Sequence, residues 1–200
     1  MFSKLNTFLR KLATPVRLVL LGSGTVIYFL FFATGIPDGL ARLLGYKGKP
    51  EMFALETFDL FNRDKTFELL SDLPGGYGDT GRRLYLYLSL IFDIAFPLLY
   101  VVFMASFLVY VLGKLNLWSS QWQKLLWLPP LAGIVDLLEN ASIYALIFIY
   151  PNRLNWLLDL KIILTTAKWT LIAVNFAAIL TGLVILVLRK RENLQKVVTK

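Results

Sequence analysis

Four apolar runs dominate the sequence, over residues 18–37, 84–112, 128–150 and 162–188. Each reaches the roughly 20 residues that a helix needs to cross a bilayer core. In hydrocarbon no water meets the backbone, so a single run of that length must satisfy its own N–H and C=O groups as a helix. The fold class that follows is an all-α integral membrane protein, a four-transmembrane-helix bundle forming one membrane domain over residues 1–200. Composition agrees, with 57% hydrophobic and 17% charged residues.

The flanks set an expected topology. Residues 1–17 carry Lys4, Arg10, Lys11 and Arg17 without an acid and read as a basic interfacial helix broken at Pro15. A signal peptide over 1–35 is disfavoured, because the basic part is long and no clean small-residue cleavage site follows. Lys114 and Lys124 flank the connection between spans two and three, and five Lys or Arg follow in the tail 189–200. The opposite connection, 151–161, has two basic residues and one acid. This distribution puts both termini in the cytoplasm, in the inner (plasma) membrane if the source is bacterial. Trp118, Trp122, Trp127 and Trp156 read as interfacial anchors, and Pro129 and Pro130 suit the first turn of span three.

The long segment 38–83 then lies on the far side. Its apolar residues (Met52 to Phe61, then Phe67 to Leu73) predict two short amphipathic helices, the second capped by Asp64. The turn-rich stretch 73–81, LPGGYGDTG, reads as an entry loop or a backbone nest for an anion, with Asp79 or Thr80 capping the next helix. Gly22, Ser23, Gly24 and Thr25 in span one would allow close helix contact.

The chain has no Cys and no His, which excludes thiol and imidazole chemistry and the usual zinc and haem ligands. No metal site is expected and the cofactor is left open. The net charge of +8 sits at the helix ends, which points to topology and lipid headgroups rather than nucleic acid.

Polar residues inside the spans carry the functional reading. Asp136, Glu139, Asn140 and Tyr144 lie in span three. Asp93 and Tyr100 share a stripe of span two, where Pro97 would free a carbonyl and kink the helix, and Lys168 and Asn175 lie in span four. At 1.5 Å per residue these residues fall into matching layers about 9–20 Å from the far-side ends. Three acids facing only Lys168 require a protonated carboxyl, a bound cation, or Arg82 and Arg83 reaching down from the rim. Two bland readings compete: helix–helix glue with Lys168 paired to Asp93 or Glu139, or Lys168 snorkelling to the surface.

The expected function is a buried polar pocket in the non-cytoplasmic half of the bundle, binding a small apolar or lipid-like molecule through an amine or hydroxyl. Asp93, Asp136 and Glu139 are candidate acid–base groups on that ligand, which leaves open whether the chain is an enzyme. The alternatives are a proton- or cation-linked transport component and a non-catalytic accessory subunit, with a protein partner or homo-oligomer. The four-span layout and the FDIAFP stretch resemble the emopamil-binding and sigma-2-receptor group of sterol-related membrane proteins. DLLEN of span three has no counterpart there, so the resemblance implies no substrate or activity.

Overall fold

The computed structural model describes residues 2–48, 62–117 and 121–198. The described residues are helical, without strands: α1 (Phe2–Leu12), α2 (Pro15–Ala33), α3 (Ile36–Leu43), α4 (Arg63–Leu70), α5 (Gly78–Lys114), α6 (Leu128–Ile149) and α7 (Asn155–Val198). A 3-10 segment, Gln121–Trp127, leads into α6. Three stretches are long and apolar enough to cross a membrane, Gly78–Lys114, Gln121–Ile149 and Asn155–Arg191. A fourth arises if Pro15–Phe31 and Ile36–Leu43, bent by 51°, count as one span.

Several boundaries move from where the sequence put them. Pro15 opens α2 rather than merely breaking α1, as suits a residue without an N–H. Pro97 lies inside the uninterrupted α5. Residues 155–161, expected in a connection, form the first turns of α7, which runs for 44 residues. Asn62, not Asp64, caps α4: its side-chain oxygen accepts from the N–H groups of Asp64 and Lys65. No side chain caps α5, and Asp79 instead pairs with Arg83 at 3.1 Å. The anion nest is not formed. The N–H groups of Gly76, Tyr77 and Gly78 are taken by the carbonyls of Leu73, Leu69 and Ser71. The first amphipathic helix expected in the long connection, and Trp118, lie outside the described residues. Pro129 falls in the first turn of α6 as expected.

α5, α6 and α7 pack on one another, and α2 lies against α5. Where α5 meets its neighbours, glycines permit the approach. A Cβ on Gly133 would sit 2.6 Å from Val101 Cγ2, and one on Gly182 would sit 2.2 Å from Val111 Cγ1. In span one, Gly22 faces the Phe103 ring, whereas Gly24 has open space around it. Gly182→Ala is therefore expected to cost about 1–3 kcal/mol by overpacking. Val111→Ala in the same chain should restore most of the loss in thermal unfolding.

The two ends of the bundle differ in charge. At one end Leu9 of α1 packs with Ala105 and Val109 of α5 and with Leu126, and Arg189 donates to the Leu115 carbonyl at 3.1 Å. That end gathers Arg10, Lys11, Lys114, Lys124, Arg189 and Lys190. At the other end the signs mix. Arg63 of α4 holds Asp159 of α7, Arg153 of the α6–α7 turn holds Asp64 of α4, and Phe67 meets the Tyr150 ring at 5.7 Å.

Arg82 and Tyr46 complete this second end. Arg82 is buried; it donates to the Leu70 carbonyl at 2.6 Å and to Asp72 at 2.9 Å, and lies 4.2 Å from the centre of the Tyr150 ring. Tyr46 packs against Tyr77 and over Gly81. Burial, reinforced by Asp38 and opposed by Arg42, pushes its hydroxyl up to about 12, so it stays a neutral phenol at physiological pH.

The outward faces of the long helices are apolar, with Ile91 and Leu98 on α5, Ile134 and Leu138 on α6, and Ile163 and Leu180 on α7 all exposed. Their inward faces hold the buried carboxylates and ammonium groups.

Candidate functional site

The inward face of α7 is a single stripe: Leu158, Lys161, Thr165, Lys168, Asn175, Ile179 and Gly182 are all buried, at steps of three, four or seven residues. On α6 the matching stripe is Asp136, Glu139, Asn140 and Ile143. Facing helices present side chains at these spacings toward each other, so the acids of α6 meet the lysine of α7.

Lys168 is the centre of that meeting. Its ammonium forms an ion pair with Glu139 and lies 3.3 Å from Asp136 Oδ1. Tyr100 of α5 donates its hydroxyl to Asp136 Oδ2 at 3.1 Å. Thr165 donates to Glu139 Oε1, and its oxygen lies 3.0 Å from the Lys161 carbonyl one turn back. Ser142 donates to the Glu139 main-chain carbonyl at 2.6 Å. The result is a continuous chain of polar contacts, Tyr100–Asp136–Lys168–Glu139–Thr165, joining α5, α6 and α7 with every member at most 4% exposed.

Asp93 occupies a neighbouring position in the α5–α6 seam. Pro97 has no N–H, so the Asp93 carbonyl loses the donor that an unbroken helix would supply. Asn140 fills the gap, its Nδ2 lying 3.4 Å from that carbonyl. The freed carbonyl is thus the sequence expectation realised with its acceptor and donor named. Tyr28 of α2 donates to the preceding carbonyl, that of Phe92, at 2.6 Å.

Of the expected site residues, the structure joins Tyr100, Asp136, Glu139 and Lys168 in one network and links Asn140 to the Asp93 backbone. Among the pairings weighed for Lys168, Glu139 is realised; Asp136 is the second partner, because a lysine side chain reaches a full turn along the facing helix. Snorkelling is excluded by its 4% exposure. Tyr144 is partly buried and packs in the aromatic and aliphatic cluster around Tyr85 and Ile143, one turn from the network. Asn175 is buried two turns beyond Lys168 and donates to the Leu171 carbonyl of its own helix at 2.8 Å. The rim arginines do not reach down: Arg82 turns to Leu70 and Asp72, and Arg83 is exposed beside Asp79.

Two residues were misjudged from the sequence. Lys161, counted among connection charges, is 1% exposed on the α7 stripe. Thr165, a polar residue of span four not included in the expected site, binds Glu139. The signal for both was available in the three- and four-residue steps leading to Lys168. Among the described residues, no group of three or more carboxylates is arranged to hold a metal ion.

No protein-family profile, curated protein or solved structure matches this chain. The resemblance to the emopamil-binding and sigma-2-receptor group therefore rests on layout and FDIAFP alone.

Proposed function

We propose that the chain is an integral membrane protein of four spans, with α2 and α3 forming one bent span, that binds a small apolar or lipid-like molecule through the polar network of α5, α6 and α7. The observation that carries this reading is Lys168 shared by two buried carboxylates inside helices whose outer faces are apolar. Apolar outside and ionic inside is the arrangement that hydrocarbon favours and water opposes. Ionisable groups at such depth mark functional sites more often than they serve as adhesive.

The gathering of basic residues at the α1 end supports a cytoplasmic location for both termini and for the α5–α6 connection. The connection carrying α4 then covers the opposite mouth.

The chemistry of the interior supports this ligand class. The Oδ1 atoms of Asn140 and Asn175 are buried without a donor, and Lys168 is paired with the carboxylates of Asp136 and Glu139. A molecule with an amine or hydroxyl on an apolar body supplies what this acceptor-rich interior lacks. A carboxyl pair sharing one ammonium is also equipped to take up and return a proton, which would give Asp136 and Glu139 an acid–base role on that molecule. A through-membrane relay has less support: among the described residues, no buried ionisable group lies between Asn175 and the basic end.

Photoreactive, alkyne-tagged sphingosine, cholesterol and palmitate, added to membranes containing the full chain, test this reading. Sphingosine or cholesterol is expected to label α5–α7 residues, with labelling reduced about tenfold or more by Glu139→Gln or Asp136→Asn, an effect of about 1.4 kcal/mol. Equal labelling by all three lipids, indifferent to both variants, would remove the proposal.

A further inference from the structure

Ligand binding inside the bundle leaves its most strongly charged end without a task. The sequence has no Asp or Glu from Met1 to Pro37 or from Gly113 to Trp127, and only Glu192 from Arg189 to Lys200. Eleven Lys and Arg fall in the same three segments, so that end is cationic whatever local pairs form. Orientation in a bilayer requires only that basic residues flank the spans.

The fold goes further and draws the three segments together. Leu9 of α1 packs with Ala105 and Val109 of α5 and with Leu126. Lys11 and Lys124 each lie two residues from that contact and are exposed. At 1.5 Å per residue, Ala105 and Val109 lie within about 14 Å of the end of α5, so α1 runs beside its last three turns. From α7, Arg189 donates to the Leu115 carbonyl at 3.1 Å, next to Lys114. Arg17 donates to the Lys11 carbonyl in the last turn of α1. Each of these two guanidinium groups is held at the C-terminal end of a helix by one of its five N–H groups. Lys190 and Arg191 continue α7 outward and are exposed.

Apolar groups share this end. Phe8, Trp122 and Trp127 are exposed, as are Val16, Val19 and Leu20 at the start of α2. Fixed cations beside exposed tryptophans and aliphatic side chains match the headgroup level of a bilayer, where a phosphate is joined to acyl chains. A nucleic acid offers phosphates but nothing for the aliphatic part.

We propose that this end binds anionic phospholipid, its headgroup held by Lys11, Lys124 and Arg189 to Arg191 and its acyl chains lying on α1 and α2. The surface requires a bundle seated in a bilayer but not the buried ligand.

Native mass spectrometry of the full chain tests it, after incubation in an uncharged detergent with dioleoylphosphatidylglycerol or dioleoylphosphatidylcholine. Phosphatidylglycerol is expected to be retained with an apparent affinity about tenfold or more above that of phosphatidylcholine, a preference that falls as salt rises. Lys11→Gln with Lys124→Gln, and separately Lys190→Gln with Arg191→Gln, should each lower phosphatidylglycerol affinity about threefold or more. These four side chains are exposed, so the variants should keep the wild-type helix content. Arg83→Gln, exposed at the opposite end, should leave the affinity unchanged. Equal retention of the two lipids overturns the proposal, as does a preference that survives both double variants or falls as far in Arg83→Gln. Displacement of phosphatidylglycerol by an equal concentration of glycerol 3-phosphate overturns it in favour of free phosphate. Tighter binding of a short single-stranded oligodeoxynucleotide overturns it in favour of nucleic acid. Photolabelling by sphingosine or cholesterol is read with Glu139→Gln and Asp136→Asn instead, so failure of either idea leaves the other standing.

Discussion

Lys168→Met is expected to destabilise the bundle by about 3–5 kcal/mol, the loss typical when one partner of a buried ion pair is removed. The methionine side chain matches lysine in length and fills the same space, so the loss isolates charge from packing. It leaves Asp136 and Glu139 three residues apart on one helix face, both buried and without the ammonium between them. Like charges so placed repel in addition to being poorly solvated. Adding Asp136→Asn and Glu139→Gln to Lys168→Met should recover most of the stability, because replacing the whole ionic group by neutral ones of similar shape avoids the stranded charge. Unfolding in detergent, followed by helix content, measures both steps. A Lys168→Met protein that unfolds with the wild type would mean that the ammonium does not hold the helices together.

Arg82→Met should act at the opposite mouth without reaching the network. It removes the donor to the Leu70 carbonyl, whose residue is fully buried, and the contacts with Asp72 and Tyr150. A buried acceptor left without a partner costs about 1–3 kcal/mol. Because the connection from Asn62 to Tyr77 is tied down mainly through its own end of the bundle, the cost should appear as local opening. Amide exchange across residues 62–77 is expected to accelerate about tenfold or more, while the α5–α7 core exchanges as before. Arg83→Met serves as the comparison: Arg83 has 72% of its side chain exposed in its pair with Asp79, and surface pairs contribute little. Equal exchange in both variants would show that Arg82 does not fasten the connection.

The long apolar helices were legible in the sequence because runs of such length and apolarity leave a chain few alternatives to a helix. Their limits were less so. Asp159 and Lys161 resemble solvent-facing residues, and the sequence cannot show that Arg63, nearly a hundred positions earlier, meets Asp159 while the α7 spiral carries Lys161 inward. Asn62 and Asp64 are both good capping residues, and only the extended backbone at Asn62 decides between them. Within the candidate site, Asp136, Glu139 and Lys168 stood out because ionisable groups are rare in apolar runs. Their pairing did not, since a lysine reaches either of two turns on a neighbouring helix. Ser142 gave no warning, because hydroxyl residues are common in such helices and usually bond to their own backbone, and the spacing of Thr165 to Lys168 placed Thr165 on the right face without naming Glu139 as its partner.

The placement of opposite charges on successive helices bears on how the protein is made. Among the described residues, the three interior acids belong to α5 and α6 and both interior lysines to α7, which leaves the ribosome after them. A nascent chain that has emerged only through α6 holds its carboxylates without either of these lysines to answer them. Arrival of α7 brings both lysines to that face and joins α5, α6 and α7 through the Lys168 ion pairs in one step.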